Sequence, residues 1–234
     1  MSFIDWILRR RRLDPGQAVR LDAWRAQPEQ GLESRHVQQR FVVVDVESTG
    51  LDVLNDRLIA IGAVRLDDSR IALDDGFYRV LRQECPSTRD NLLVHGIGGT
   101  AQTGGDDPAT VLLDFLEYIG KSPLVGYHAQ FDDIMIRKAL RRYLGTGFRR
   151  TWLDLAYLAP AFSSETSPRP RGLDDWLRAF GIVNYSRHDA LADAMATAQL
   201  LLVLLFKAGA AGATRTADLV EAARSAEWLS KQRR

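Results

Sequence analysis

The order of apolar patterns predicts an α/β domain built on a mixed five-stranded sheet flanked by helices, with short N- and C-terminal extensions. Two observations carry this prediction. Residues 41–81 contain three successive strand patterns, and from Pro108 onward helical and strand patterns alternate. The charged and turn-forming residues fall between these patterns, which gives the segment boundaries.

The first strand is Phe41–Val46, a nearly continuous β-branched run that reads as buried and central. Arg57–Leu66 and Ile71–Leu81 follow, separated by Asp67-Asp68-Ser69-Arg70, a turn sequence suited to an antiparallel hairpin. Val111, Leu112, Phe115, Leu116 and Ile119 have helical spacing after Pro108, and Gly120 closes the helix. A strand at Leu124–Tyr127, a helix marked by Phe131, Ile134, Met135 and Leu140, and a strand at Thr151–Leu155 come next. Ser163–Gly172 has the Ser, Pro and Gly content of a loop, after which helices fit Leu173–Phe180 and Ala190–Phe206.

The 234 residues suffice for one domain of ordinary size, 41–207, between an N-terminal helical arm, 1–40, and a C-terminal helical tail, 208–234. With 46% hydrophobic and 26% charged residues the chain is expected to fold rather than remain disordered. The single cysteine, Cys85, and an opening without a central apolar run favour the cytoplasm. Leu200–Phe206, the longest apolar run, falls short of the ~20 residues of a membrane helix, so no membrane span is expected. Net charge is +1, divided as +3 over 1–40, −4 over 41–207 and +2 over 208–234. An acidic middle is compatible with carboxylates that hold divalent cations. In the arm, Phe3, Ile4, Trp6, Ile7 and Leu8 precede Arg9–Arg12, a pattern for packing on the domain, lying on a membrane surface or touching phosphates.

Asp45 and Glu47, two apart in a strand, project from one face. Two acids at the end of a Val-rich strand cost several kcal/mol unless they are paired or bind a cation. A solvent-facing strand end turning at Ser48-Thr49-Gly50 is the plainer reading. Gly126–Asp132 leaves a strand and enters a helix, where Asp132 or Asp133 would ordinarily serve the helix start. In His188-Asp189-Ala190-Leu191-Ala192-Asp193, His188 and Asp193 converge only if His188 precedes the helix, and Asp189 suits its N-cap.

Taken together, VDVESTG (Val44–Gly50), GYHAQFD (Gly126–Asp132) and HDALADA (His188–Ala194), with LVHGIG (Leu93–Gly98) between the first two, resemble the motifs of the DEDDh exonuclease family. That family includes the proofreading subunit of the bacterial replicative DNA polymerase. The resemblance covers about 41–207 and implies an RNase H-like sheet. It also implies Asp45, Glu47, Asp132 and Asp193 as ligands of two divalent metal ions, Mg²⁺ or Mn²⁺, and His188 as general base. Where the family has His-Asn before the Ala of its second motif, this chain has Tyr127-His128.

The implied reaction is hydrolysis of the terminal phosphodiester at a 3′ end, with release of nucleoside monophosphates. Four carboxylates suit hard cations that keep exchangeable waters, and an imidazole suits proton transfer near neutrality. By resemblance, Ser48, Thr49 and Leu51 meet the 3′-terminal nucleotide, His95 and Ile97 wedge its base, and Phe131 is a further contact candidate. DNA is the favoured partner over RNA, with single-stranded or frayed ends preferred. RNA or short-oligonucleotide degradation and a catalytically silent binding module are the alternatives. The arms are candidate docking segments for a polymerase or another protein.

Gly96-Ile97-Gly98-Gly99-Thr100-Ala101 satisfies GxGxxA but lacks the preceding strand, and the next helix signals wait for Pro108, so it reads as a substrate-side loop. Arg137, Lys138, Arg141, Arg142, Arg149 and Arg150 are either a phosphate track or a solvated face.

Overall fold

The computed structural model describes residues 13–163 and 172–232. The Arg9–Arg12 run with its apolar neighbours, and most of the Ser163–Gly172 loop, lie outside the described residues. Five strands form one sheet: β1 (Phe41–Ser48), β2 (Leu58–Asp67), β3 (Arg70–Val80), β4 (Leu124–Gly126) and β5 (Trp152–Asp154), in the order β3-β2-β1-β4-β5. β1–β2 and β2–β3 pair antiparallel, whereas β1–β4 and β4–β5 pair parallel. The expected mixed sheet is present. The β2–β3 hairpin closes through Asp68 and Ser69, both at positive φ (48° and 58°), the conformation that short hairpin turns require.

The helices are α1 (Pro15–Ala26), α2 (Arg89–His95), α3 (Gly99–Thr103), α4 (Pro108–Ile119), α5 (Gln130–Leu144), α6 (Leu155–Phe162), α7 (Leu173–Ala179), α8 (Ala190–Ala210) and α9 (Thr216–Gln232). Alternation along β1 sends Val42, Val44 and Val46 into a core with α1, α4 and α5. Phe41 and Val43 enter a second core with residues of α6, α7, α8 and α9. The sheet is therefore covered on both faces, and the β1 residues after Val43 on the second face are Asp45 and Glu47.

Three helices are not expected from the sequence. α2 occupies a stretch to which the sequence pattern assigns no element, and α3 begins inside the GxGxxA string that reads as a loop, although helix α2 rather than a strand precedes it. Both are too short to show a helical period. α6 contains Pro160 near its end and is stabilised at its start by Asp154, whose carboxylate accepts the Ala156 N–H at 2.9 Å.

α8 extends past the predicted Phe206 to Ala210. By length and composition it is apolar enough to cross a membrane, which the short run Leu200–Phe206 did not suggest. More than half of its most apolar stretch is buried, and Leu200, Leu201, Leu204 and Leu205 pack in the second core. Each such leucine contributes about 1.5–3 kcal/mol on burial. α8 is the core helix that holds the site against the sheet.

Candidate active site

β1 delivers Asp45 and Glu47 opposite Gly62 and Ala60 of β2, and the ladder shifts register between Glu47 and Ser48. α8 begins directly over this strand end. Asp189 caps it, accepting the Ala192 N–H at 2.9 Å, so His188 precedes the helix and Asp193 lies one turn inside. His188 adopts a left-handed backbone (φ 62°), which costs a non-glycine residue about 1–2 kcal/mol. Its N–H donates to Asp193 Oδ2 at 3.0 Å. Oxygens of Asp45, Glu47 and Asp193 lie within 4.8 Å of one another.

Gly62 makes this approach possible. A Cβ there would lie 2.2 Å from the Ala190 carbonyl carbon and 2.4 Å from the Leu191 nitrogen. Only glycine lets the first turn of α8 rest on the β2 backbone beside Asp45.

Asp132 reaches the strand end from the opposite side of the sheet, because α5 packs in the first core. It is buried, and its Oδ1 accepts the Val46 N–H at 3.1 Å, between the two β1 acids. It stands outside the 4.8 Å group formed by the other three. Its neighbour Asp133 turns away to Arg137 (2.6 Å) and to the Trp152 indole N–H (2.9 Å).

The electrostatics of the cluster follow from crowding. Burial, then the charge of Asp193, raises the Asp45 carboxyl well above its ordinary value. Burial and the Asp45 charge push Glu47 up to about 9. Asp132 is raised by burial and by Asp45. Carboxylates held this close disfavour one another's ionisation. A divalent cation among them reverses that, and an all-oxygen donor set suits a hard ion.

A cleft of about 480 Å³ adjoins the cluster, lined by Tyr78, Leu93, His95, Ile97, Arg187 and His188 among others. His188 is exposed on its wall. His95 and Ile97 are mostly buried. The His95 Nδ1 accepts the Ile97 N–H at 3.0 Å and its Nε2 meets the Ser87 hydroxyl at 3.2 Å, so both ring nitrogens are engaged in shaping the loop. The Ser48 hydroxyl donates to the Gly50 carbonyl at 2.5 Å. The Thr49 hydroxyl donates to Asp56 at 2.7 Å and accepts the Arg57 N–H at 2.9 Å. Leu51 is 85% exposed and Leu93 77%. Phe131 packs against the first core and faces a separate groove with Trp152 and Tyr157.

The basic cluster is not one free face. Lys138 donates to the carbonyls of Val53, Leu54 and Asp56, pinning the loop after β1. Arg137 pairs with Asp133, and Arg150 with Glu29. Sequence reasoning did not single out Gly62, Asn184 or Arg187. A glycine inside a Val/Ile-rich strand was a readable sign of close backbone approach. Asn184 and Arg187, which both hold Asp193 Oδ1, had no such sign.

The exonuclease family model matches residues 42–201 of this chain, a span that contains all of the clustered acids and, apart from Phe41, all five strands. The chain belongs to the DEDDh 3′–5′ exonuclease family. Over 165 residues it is 29% identical to the DNA polymerase III subunit epsilon of Aquifex aeolicus, covering 70% of this chain and 80% of that protein. It is likewise 29% identical over 179 residues to the PolC-type DNA polymerase III of Thermotoga petrophila, but spans only 13% of that protein's length. Among solved structures, E. coli exonuclease I in complex with a dT13 oligonucleotide matches with TM-score 0.61 and 22% identity, over 74% of this chain and 42% of that one. Exonuclease X in complex with 5′ overhanging duplex DNA matches with TM-score 0.59 and 17% identity, over 78% and 99% of the two chains. These two likenesses establish the exonuclease fold.

Proposed function

We propose that this DEDDh exonuclease removes nucleoside monophosphates from the 3′ end of single-stranded or frayed DNA, with Asp45, Glu47, Asp132 and Asp193 holding two Mg²⁺ or Mn²⁺ ions and His188 as general base. The observation that carries the reading is the convergence of Asp45, Glu47 and Asp193, from elements about 150 residues apart, within 4.8 Å. Asp132, tied to the Val46 N–H, supplies its other oxygen from the far side of the strand end. When bound, the cations stabilise charge on the attacking and leaving oxygens.

The chain's own groups do the rest. Asp45 and Glu47 define the position of the scissile phosphate relative to β1. His188, exposed on the cleft wall, takes the proton from the attacking water and passes it to solvent. The exposed Leu51 and Leu93 are apolar groups free to meet the terminal base, while His95 and Ile97 hold the end of α2, which carries Leu93, in place. DNA is favoured over RNA because the relatives of similar sequence are DNA polymerase III proteins. On the same likeness we assign a polymerase-type partner and a cytoplasmic setting.

The test is an Mg²⁺ and Mn²⁺ activity assay on 3′-labelled and 5′-labelled single-stranded DNA and RNA. Immediate release of labelled mononucleotide from the 3′ label, and a shortening ladder from the 5′ label, is the expected result. His188→Ala should lower turnover by about 10²–10⁴-fold while metal binding persists, and Asp45→Asn should lose both. A purified His188→Ala protein with undiminished turnover removes His188 from the base role.

A further inference from the structure

Both oxygens of Asp193 already have partners from its own loop. Oδ2 accepts the His188 N–H at 3.0 Å. Oδ1 accepts the Asn184 side-chain amide and forms an ion pair with Arg187 Nη1 at 2.5 Å. The opposite edge of the same guanidinium is anchored outside the cluster, with Nε 2.7 Å from Asp174 Oδ1 on α7. Arg187 therefore bridges a site carboxylate to a helix beyond the site. Its side chain is 35% exposed and lines the cleft with Tyr78, Leu93 and His188.

A positive charge thus stands at the Asp193 corner of a carboxylate cluster whose other members are Asp45 and Glu47. A divalent cation and a guanidinium at hydrogen-bond range of one carboxylate oxygen repel each other strongly, all the more where water is partly excluded. Oδ1 also has no room for a metal while it accepts from two donors. The Asp189 cap and the backbone bond from the Asp193 N–H to the Asp189 carbonyl (2.8 Å) hold the start of α8 in place. Adjustment is confined to the loop before that cap, and Asp174 offers the guanidinium a place to remain.

We propose that Arg187 is an internal cation that competes with the metal for Asp193 and withdraws toward Asp174 and the cleft when the metal binds. Arg187 is in this sense a positioning residue. It keeps Asp193 oriented in the metal-free enzyme, and its release is coupled to the loop that carries His188. The inference rests on the reading of Asp45, Glu47 and Asp193 as a metal site.

The experiment titrates Mn²⁺ into the full chain without nucleic acid, following the free ion by its electron paramagnetic resonance signal. Circular dichroism establishes that each variant is folded. Arg187→Gln is expected to bind Mn²⁺ more tightly by about 5-fold or more, the lower end of coupling between linked sites. Arg187→Lys, which keeps a cation there, is expected to stay close to wild type. Equal affinity for Arg187→Gln and wild type overturns the proposal, as does Arg187→Lys binding as tightly as Arg187→Gln. Wild-type Mn²⁺ binding that Asp45→Asn leaves unweakened overturns the metal site itself, and the competition with it.

Discussion

Glu47 stands where a carboxyl has little reason to ionise, half-buried at a strand end with Asp45 beside it and Asp193 above, and its pKa is pushed up to about 9. Between its ordinary value of 4.5 and about 9 the folded chain holds a proton that the unfolded chain releases. Metal-free stability therefore falls as pH rises through that window. A cation held by Glu47 would expel the same proton, so metal affinity should rise over the same range. Thermal melts from about pH 5 to about pH 9 should show the metal-free midpoint declining, and the gain from added Mg²⁺ growing toward the alkaline end. A gain that shrinks with pH would show that the cluster does not bind the ion through Glu47. The Asp45–Glu47 pair was legible in the sequence because a strand's two-residue period puts both on one face. The grip of Asn184 and Arg187 on Asp193 was not, because it depends on how an irregular loop folds back, and no periodicity reports that.

The contact between β2 and the first turn of α8 sets the distance between the Asp45 strand and the Asp193 helix. It depends on Gly62, where a Cβ would collide with the Ala190 and Leu191 backbone. Gly62→Ala should cost about 3 kcal/mol, the upper end of overpacking penalties, and should weaken Mn²⁺ binding by moving Asp193 away. Gly76→Ala is the control, since its Cβ would meet only the Leu191 side chain at 3.4 Å, and should leave Mn²⁺ affinity near wild type. Chemical denaturation with parallel Mn²⁺ titration separates the two. If both variants behave alike, the close approach at Gly62 is not what positions the site. The long elements were readable from pattern: the three opening strands, the helix after Pro108, and the helix whose N-cap is Asp189. α2, α3 and α6 were not, since two have seven or fewer residues and the third carries Pro160.

At the scale of the molecule, the segments flanking the family-matched region, 42–201, close on each other as well as on the domain. α1 packs on α4 through buried Leu21 and Trp24, with the Trp24 indole N–H donating to the Gly120 carbonyl at 2.9 Å. Arg20 pairs with Asp114 and Glu117. Further along, Thr216 and Ala217 donate backbone N–H groups to Ser34 and Leu32, and His36 donates its own to Thr214. The His36 ring is buried, with Nε2 2.9 Å from the Ala213 carbonyl and Nδ1 enclosed without a partner. Burial lowers its pKa from 6.5. The unfolded chain then takes up a proton that the folded chain refuses, so this contribution is complete above 6.5 and is lost as pH falls below it. Urea midpoints at about pH 7.5 and about pH 5.5 should differ for wild type and differ less for His36→Gln. Equal pH sensitivity in the two would place the acid weakness elsewhere. The chemistry of the chain was written in its residue types and their order: acids in phase on a strand, a cap before a helix, turns where the pattern breaks. Those signals are local, acting over a few residues of backbone geometry. Which oxygens of Asp193 are occupied, why Asp132 arrives from the opposite face, and how residues 32–36 meet 213–217 depended on packing between distant segments. Such contacts arise from shape and burial across the sheet, and short-range pattern carries no record of them.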